Sequence, residues 1–423
     1  MAKLKGHMGW TLAGDRSLEF WQDPISFINR RIEQYSCRIF IARTMNKPTV
    51  FVCSWKGVHQ LLREKHAQTE LGYKILFHRV FGDNILFEGG EEGMRIARVV
   101  HKLFGPQVLP AVEPLVERIM DKHFTSLDKL PTVPVYTTFK TFATELSMAL
   151  FMGLDPDENE ASFKQISNLA TAHWHGMITL PVKFTMPVLG PTTFNKAIDA
   201  QQKLLAVIRE KLDACQEGSV LHHFKAAGFK DRKEVEQHVL LFSSAVIPKA
   251  FAAFFTSFTH AISGPSQAHL RKRAREDDDF LDCIQTEVER LWPPFLGGRR
   301  NILEDIVLDG YRIPKGHVCV YISRAAHRDP AAFLDPDSFK PERWLGKTRK
   351  ERQHSVLMYG AGPRSCVGYD MVRRMITMVC KYMVQNYDWE FQSNEELEYK
   401  WLPVSRPKEG PPAIFTAREP VNS

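Results

Sequence analysis

From 239 to 258 the chain is apolar on every side, with Lys249 as the one charge. A helix of that composition belongs either in a membrane or at the centre of a large helical assembly. Pro248, Lys249 and several Ser/Thr residues interrupt it, which favours the second, so a buried central helix is expected. Around it, apolar residues return at three- and four-residue spacing over 92–104, 195–215, 280–291 and 369–387, the pattern of amphipathic helices. Strand signals are fewer. The runs 38–43 and 49–53 flank the turn residues Asn46-Lys47-Pro48 and predict a hairpin. A second pair is expected from 306–308 and 317–322, which bracket Asp309-Gly310 and Pro314-Lys315-Gly316. The expected architecture is mainly α with small antiparallel sheets. No Gly/Ser linker, low-complexity tract or internal repeat divides the chain, so 1–423 is expected to be a single domain.

Composition bounds the function. Hydrophobic residues make up 44% and charged residues 25%, enough apolar material for an extended core. The net charge of +7 is too diffuse for nucleic-acid binding, and the densest basic run, Arg271-Lys272-Arg273 with Arg275, passes directly into Glu276-Asp277-Asp278-Asp279. Seven cysteines without paired spacing indicate a reducing compartment. The first residues have neither the apolar core nor the cleavage site of a signal peptide. A soluble monomer is expected, cytoplasmic or peripheral on an intracellular membrane, with membrane association only through a peripheral anchor or one removed from the chain.

The most specific local signal is Tyr359-Gly360-Ala361-Gly362-Pro363-Arg364-Ser365-Cys366-Val367-Gly368, followed at once by a helical pattern. Glycines permit close approach and let amide groups point at a sulfur, and a following helix start favours an anion there. A thiolate so stabilised can ligate iron; the bland alternative is a buried, inert cysteine. The loop resembles the heme-binding loop of the cytochrome P450 superfamily, F-x-x-G-x-R-x-C-x-G, with Tyr359 where the family normally has Phe. The resemblance implies a helical bundle around heme b, with Cys366 as axial ligand and Tyr359, Gly360, Arg364 and Gly368 around the cofactor.

Three further segments follow the family in order. Glu287-Val288-Glu289-Arg290 resembles its E-x-x-R helix motif, in which residues at i and i+3 share a face. Phe339 to Trp344 resembles its Pro-Glu-Arg segment, and Ala326-His327-Arg328-Asp329-Pro330 also fits. By resemblance Glu287, Arg290 and Arg343 lock together, while Arg98, Arg299, Arg300 and Arg364 stand where the family pairs the heme propionates. The family's W-x-x-x-R is Met94-Arg95-Ile96-Ala97-Arg98 here, so its Trp is absent. Residues 90–95 and 6–10 are similar to the branch that hydroxylates retinoids, sterols and plant triterpenoid hormones.

One departure bears on the chemistry. The family pattern [AG]-G-x-[DE]-T, which supplies protons for oxygen activation, places Val246 at the acid and Ile247 at the alcohol, and no carboxylate lies in 242–251. Three readings stay open. In the first, a monooxygenase relays protons through Ser243, Ser244 or water, with Pro248 kinking the helix. In the second, an oxygen-independent hydroperoxide or endoperoxide isomerase, or a peroxygenase, needs no relay. In the third, a non-catalytic heme protein binds a ligand. The substrate class implied is lipophilic: sterol, retinoid, terpenoid or fatty acid. A reductase or ferredoxin is implied for the monooxygenase, docking on the basic stretch from Arg343 to Arg352. His173 and His175 form an H-x-H pair without a third ligand nearby, which reads as surface or packing rather than zinc.

Overall fold

Ile39–Thr44 and Lys47–Val52 form the expected hairpin. Its reversal is at Met45 and Asn46, both with positive φ (52° and 55°), the backbone that a two-residue turn between right-twisted strands requires. Pro48 therefore enters the strand, opposite Arg43. The computed structural model describes residues 2–11, 13–178, 185–186, 190–244, 247–393, 397–408 and 410–419. It divides into two units, one of Met1–Gly72, Thr256–Cys366 and Asn394–Glu409, the other of Tyr73–Phe255, Val367–Ser393 and Gly410–Ser423.

In the first unit the hairpin belongs to a six-stranded sheet ordered Lys5–His7, Ile39–Thr44, Lys47–Val52, Val318–Ile322, Gly297–Ile302, Thr69–Leu71. Two of its pairings are parallel, the first with the second strand and Val318–Ile322 with Lys47–Val52, so the sheet is mixed. Period-two alternation sends its apolar residues to two buried faces. Ile39, Ile41, Val50, Val52 and Cys319 pack with Val58, Leu61, Leu62, Leu357 and Ala361. Phe40, Ala42 and Phe51 pack with Phe27 and Ile28 of the helix Pro24–Tyr35. The expected pairing of 306–308 with 317–322 is corrected. Asp309 and Gly310, both at positive φ (46° and 84°), return Ile306–Leu308 onto Tyr311–Ile313, which leaves the later strand to the large sheet.

The second unit is built mainly from helices, among them Gly90–Leu103, Leu109–Phe124, Val135–Met152, Glu160–His175, Thr193–Ala214, Arg232–Ser244 and Tyr369–Asn386, with a three-stranded sheet of Tyr387–Phe391, Pro412–Ala417 and Val133–Pro134. Phe104, Phe151, Phe224 and Phe242 meet at ring-centroid distances of 5.1–6.3 Å, and Phe124, Phe139, Phe142 and Phe255 form a second cluster. The molecule is mainly α, as expected. The apolar stretch is covered by Arg232–Ser244 and Ile247–Ala261. Among the described residues the span Arg232–Ala261 is long and apolar enough to cross a membrane, but 73% of its most apolar window is buried inside the protein. That is the burial of a core helix.

Candidate cofactor site

The cysteine loop is tied to its own backbone before it is tied to anything else. Leu357–Tyr359 and Gly362–Arg364 are single helical turns, and the Cys366 amide donates to the Tyr359 carbonyl at 2.8 Å, closing the loop between them. Gly360 and Gly362 take φ of 72° and 68°, conformations costly for any other residue. At Gly362 a Cβ would also run into the Leu62 carbonyl oxygen. Gly368 is different. Its φ is −93°, and a Cβ there would meet the Phe104 ring only at an ordinary 3.7 Å, so no protein atom demands a glycine.

Cys366 is exposed, while Cys53, Cys283, Cys319 and Cys380 are buried. Burial pushes the thiols of Cys53 and Cys319 far up and that of Cys283 up to about 12, which makes them poor ligands. Cys37 and Cys215 are half-buried, and each donates to a backbone carbonyl.

A buried polar network supports the loop. Glu287, with no exposed side-chain surface, receives Arg290 through two bonds of 2.8 and 2.9 Å, Arg343 at 3.0 Å, the Trp344 indole at 2.9 Å and the Lys340 amide at 3.0 Å. The structure thus brings Glu287, Arg290 and Arg343 together. Arg290 spends its remaining donors on the carbonyls of His327, Pro336 and Ser338. His327 connects this network to the loop: its Nδ1 donates to the Arg290 carbonyl at 2.9 Å, and its Nε2 accepts the Leu357 amide at 2.7 Å. Complete burial, reinforced by the Arg290 charge, holds its pKa down to about 3, so the ring is neutral and the tautomer is set. Two residues beyond Leu357, the Tyr359 hydroxyl donates to Glu289 at 2.8 Å. The parts played by His327, Glu289 and Trp344 were not assigned from sequence; the only signal was their presence inside the quoted motifs.

The basic residues divide by position. Arg299 and Arg300 are neighbours on the strand Gly297–Ile302 and so project to opposite faces. Arg299 is half-buried, with Nη1 3.5 Å from the Met45 sulfur. Arg300 is 7% exposed; its Nη1 donates to the Arg299 carbonyl at 3.3 Å, its guanidinium lies 5.7 Å from the Tyr321 ring centre, and no carboxylate pairs with it among the described residues. Arg63, on the helix Gln60–Glu64 against which Gly362 packs, has a buried Nε without a hydrogen-bond partner. Buried cations of this kind call for an anion, and an exposed thiol in a glycine loop suits a soft iron ligand, so the residues fit a carboxylate-bearing iron cofactor. Arg364 is half-buried in the turn Gly362–Arg364. Arg98 belongs to the other unit, exposed on Gly90–Leu103, with its Nε 3.4 Å from the Met94 carbonyl of its own helix.

On the central helix, Val246 lies outside the described residues, and Ile247 opens Ile247–Ala261 without a described side chain. Ser243 donates back to the Val239 carbonyl at 2.7 Å. Ser244 lies 2.8 Å from both the Leu240 carbonyl and Nδ1 of His173. Nε2 of His173 faces the Val80 carbonyl at 2.7 Å and must carry the proton, so Nδ1 of the neutral ring accepts from Ser244. Burial lowers the His173 pKa to about 4. His173 is therefore a packed core residue, and 179–181 of the segment that follows it lie outside the described residues.

A family model described as Cytochrome P450 matches residues 260–411. The β-amyrin 28-monooxygenase of Medicago truncatula is 24% identical over 91% of this chain and 86% of its own length, and a putative cytochrome P450 120 of Synechocystis is 23% identical over 94% of each. Among solved structures, a retinoic acid-bound cyanobacterial CYP120A1 superposes with a TM-score of 0.83 at 22% identity, covering 98% of this chain and 99% of its own. Cytochrome P450 OleT in complex with arachidonic acid superposes with a TM-score of 0.79 at 17% identity, covering 100% and 99%. The family model lies on the very segment that folds into the cysteine loop and its Glu287 network, and the likeness of sequence and fold runs the length of the chain, so this protein has the cytochrome P450 fold and matches over 260–411 the Cytochrome P450 family, whose cofactor is heme held through a cysteine thiolate.

Proposed function

We propose that this P450-type oxidoreductase is a monooxygenase of a large lipophilic small molecule, with Cys366 as the axial thiolate and 1–423 as one heme domain. The observation that carries the reading is the placement of Cys366, the exposed cysteine among the seven, in a glycine loop anchored to a buried ion-pair network. The single-domain reading is supported by the interleaving of the two units, each of three chain stretches, and by relatives that match 91–96% of the chain. Bound heme supplies the iron chemistry that transfers oxygen to a C–H bond. The residues of the chain hold and shield it. Cys366 is fixed through its amide to Tyr359, Gly360 gives the loop its turn, and Arg300 is the first candidate for a propionate because it is buried with no carboxylate partner among the described residues. Arg63, Arg364, Arg299 and Arg98 follow, and Gly368 leaves room at the start of the helix Tyr369–Asn386.

The relatives' names point to the substrate class. They cite β-amyrin, retinoic acid and arachidonic acid, all large and apolar. A sterol, terpenoid, retinoid or fatty acid is the class carried over.

Peroxide chemistry is kept as a second reading on one observation: the hydroxyls of Ser243 and Ser244 are already committed to protein acceptors, and no carboxylate stands in 242–251. Turnover separates the two. Purified holoprotein is assayed with reductase, NADPH and oxygen, and in parallel with lipid hydroperoxides and endoperoxides without reductant. Product in the first assay alone supports the monooxygenase; rapid product in the second, with none in the first, replaces it with the peroxide reading.

A further inference from the structure

Tyr359 is the loop residue that departs from the family pattern, and its extra atom is used. Its hydroxyl donates to Glu289 at 2.8 Å, and Glu289 is 4% exposed. The carbonyl of the same residue accepts the Cys366 amide at 2.8 Å. Glu289 sits on Asp278–Leu291, between Glu287 two residues before it and Arg290 one residue after it, so a single helix holds the Pro341–Trp344 turn through Glu287 and the cysteine loop through Glu289. A Phe at 359 would fill the same space but release the second hold.

We propose that Glu289 and the Tyr359 hydroxyl form a positioning pair that fixes the near end of the cysteine loop, and thereby the direction of the Cys366 amide and the retention of the thiolate on the iron. This rests on the assignment of Cys366 as ligand. A charge-assisted bond between a phenol and a buried carboxylate is among the stronger side-chain interactions, and the residue whose ring it orients is the one whose backbone carbonyl receives the ligand's own amide. The chain of effect is short: Glu289 to the Tyr359 hydroxyl, the Tyr359 backbone to the Cys366 amide, and Cys366 to the metal.

The test is made on holoprotein of the wild type, Tyr359→Phe, Glu289→Gln and the double variant. The reduced carbon monoxide complex is followed as its thiolate-type spectrum decays under mild denaturant, and amide exchange at Cys366 is measured in the same samples without the gas. Tyr359→Phe should hasten both decay and exchange by roughly tenfold. Glu289→Gln keeps an acceptor and should fall between it and the wild type, and the double variant should be no worse than Tyr359→Phe alone, since both changes break one bond. Decay and exchange in Tyr359→Phe within twofold of wild type would overturn the pair, as would fully additive effects. In either case an intact thiolate-type spectrum would leave the Cys366 assignment standing, whereas a thiolate-type spectrum in Cys366→Ser would remove the assignment itself.

Discussion

Glu287 shows what a fully compensated buried charge looks like: every partner is a donor, and the carboxylate itself has no exposed surface. Removing the carboxylate strands Arg290, which is also fully buried. Glu287→Ala should therefore cost ~3–5 kcal/mol, read from the denaturant midpoint, and a loss below about 1 kcal/mol would contradict the network. His327 and His173 give a pH signature. Their pKa values in the fold, about 3 and about 4, lie below the ordinary 6.5, so above pH 6.5 both states are neutral and nothing changes. As pH falls below 6.5 the unfolded chain takes up protons that the folded one refuses, and each histidine lowers stability by ~1.4 kcal/mol per pH unit until its folded pKa is reached. The melting temperature should drop steadily from pH 7 to pH 5, and replacing His173 by Gln should flatten the slope. The Glu287–Arg290–Arg343 set was legible because i,i+3 spacing and an ordered motif mark it. The bridge through His327 was not, because its partners are backbone groups 37 and 30 residues away, which leave no trace in side-chain pattern.

At the scale of elements, the proposed proton relay belongs to the central helix. Val246→Glu together with Ile247→Thr supplies the acid and alcohol that the family pattern places there. If proton delivery limits a monooxygenase, oxygen-dependent turnover should rise severalfold in this double variant while peroxide-dependent turnover does not. An unchanged rate in a folded, heme-loaded variant would show that delivery already proceeds by another route. The hairpin of Ile39–Thr44 and Lys47–Val52 was legible, since alternation and turn residues are local. The partnership of Val318–Ile322 was not: periodicity names a strand but not its neighbour, and the small turn at Asp309-Gly310 captured the nearer run. Gly368 illustrates a milder limit, for a motif letter need not reflect a steric demand from the protein.

Across the whole molecule, the basic stretch proposed to dock an electron donor is narrower than its sequence suggests. Arg343 is committed to Glu287, and Arg352, 3% exposed, to Asp279 and Asp282, while Lys347, Arg349 and Lys350 are exposed. Changing these three to Glu should slow reduction by an acidic flavoprotein or ferredoxin about tenfold at low salt, with the difference shrinking as salt rises. An equal rate would move the docking face elsewhere. Fold and cofactor class could be read from sequence because the loop, the E-x-x-R helix and the Pro-Glu-Arg turn are short motifs in fixed order. Substrate and electron donor could not, because shape and charge complementarity are spread over residues distant in the chain. The proposed chemistry depends most on one sulfur, and the reduced carbon monoxide spectrum of Cys366→Ser holoprotein tests its role directly. The thiolate-type absorption should vanish while heme remains bound; its persistence would contradict the assignment of Cys366 as the ligand.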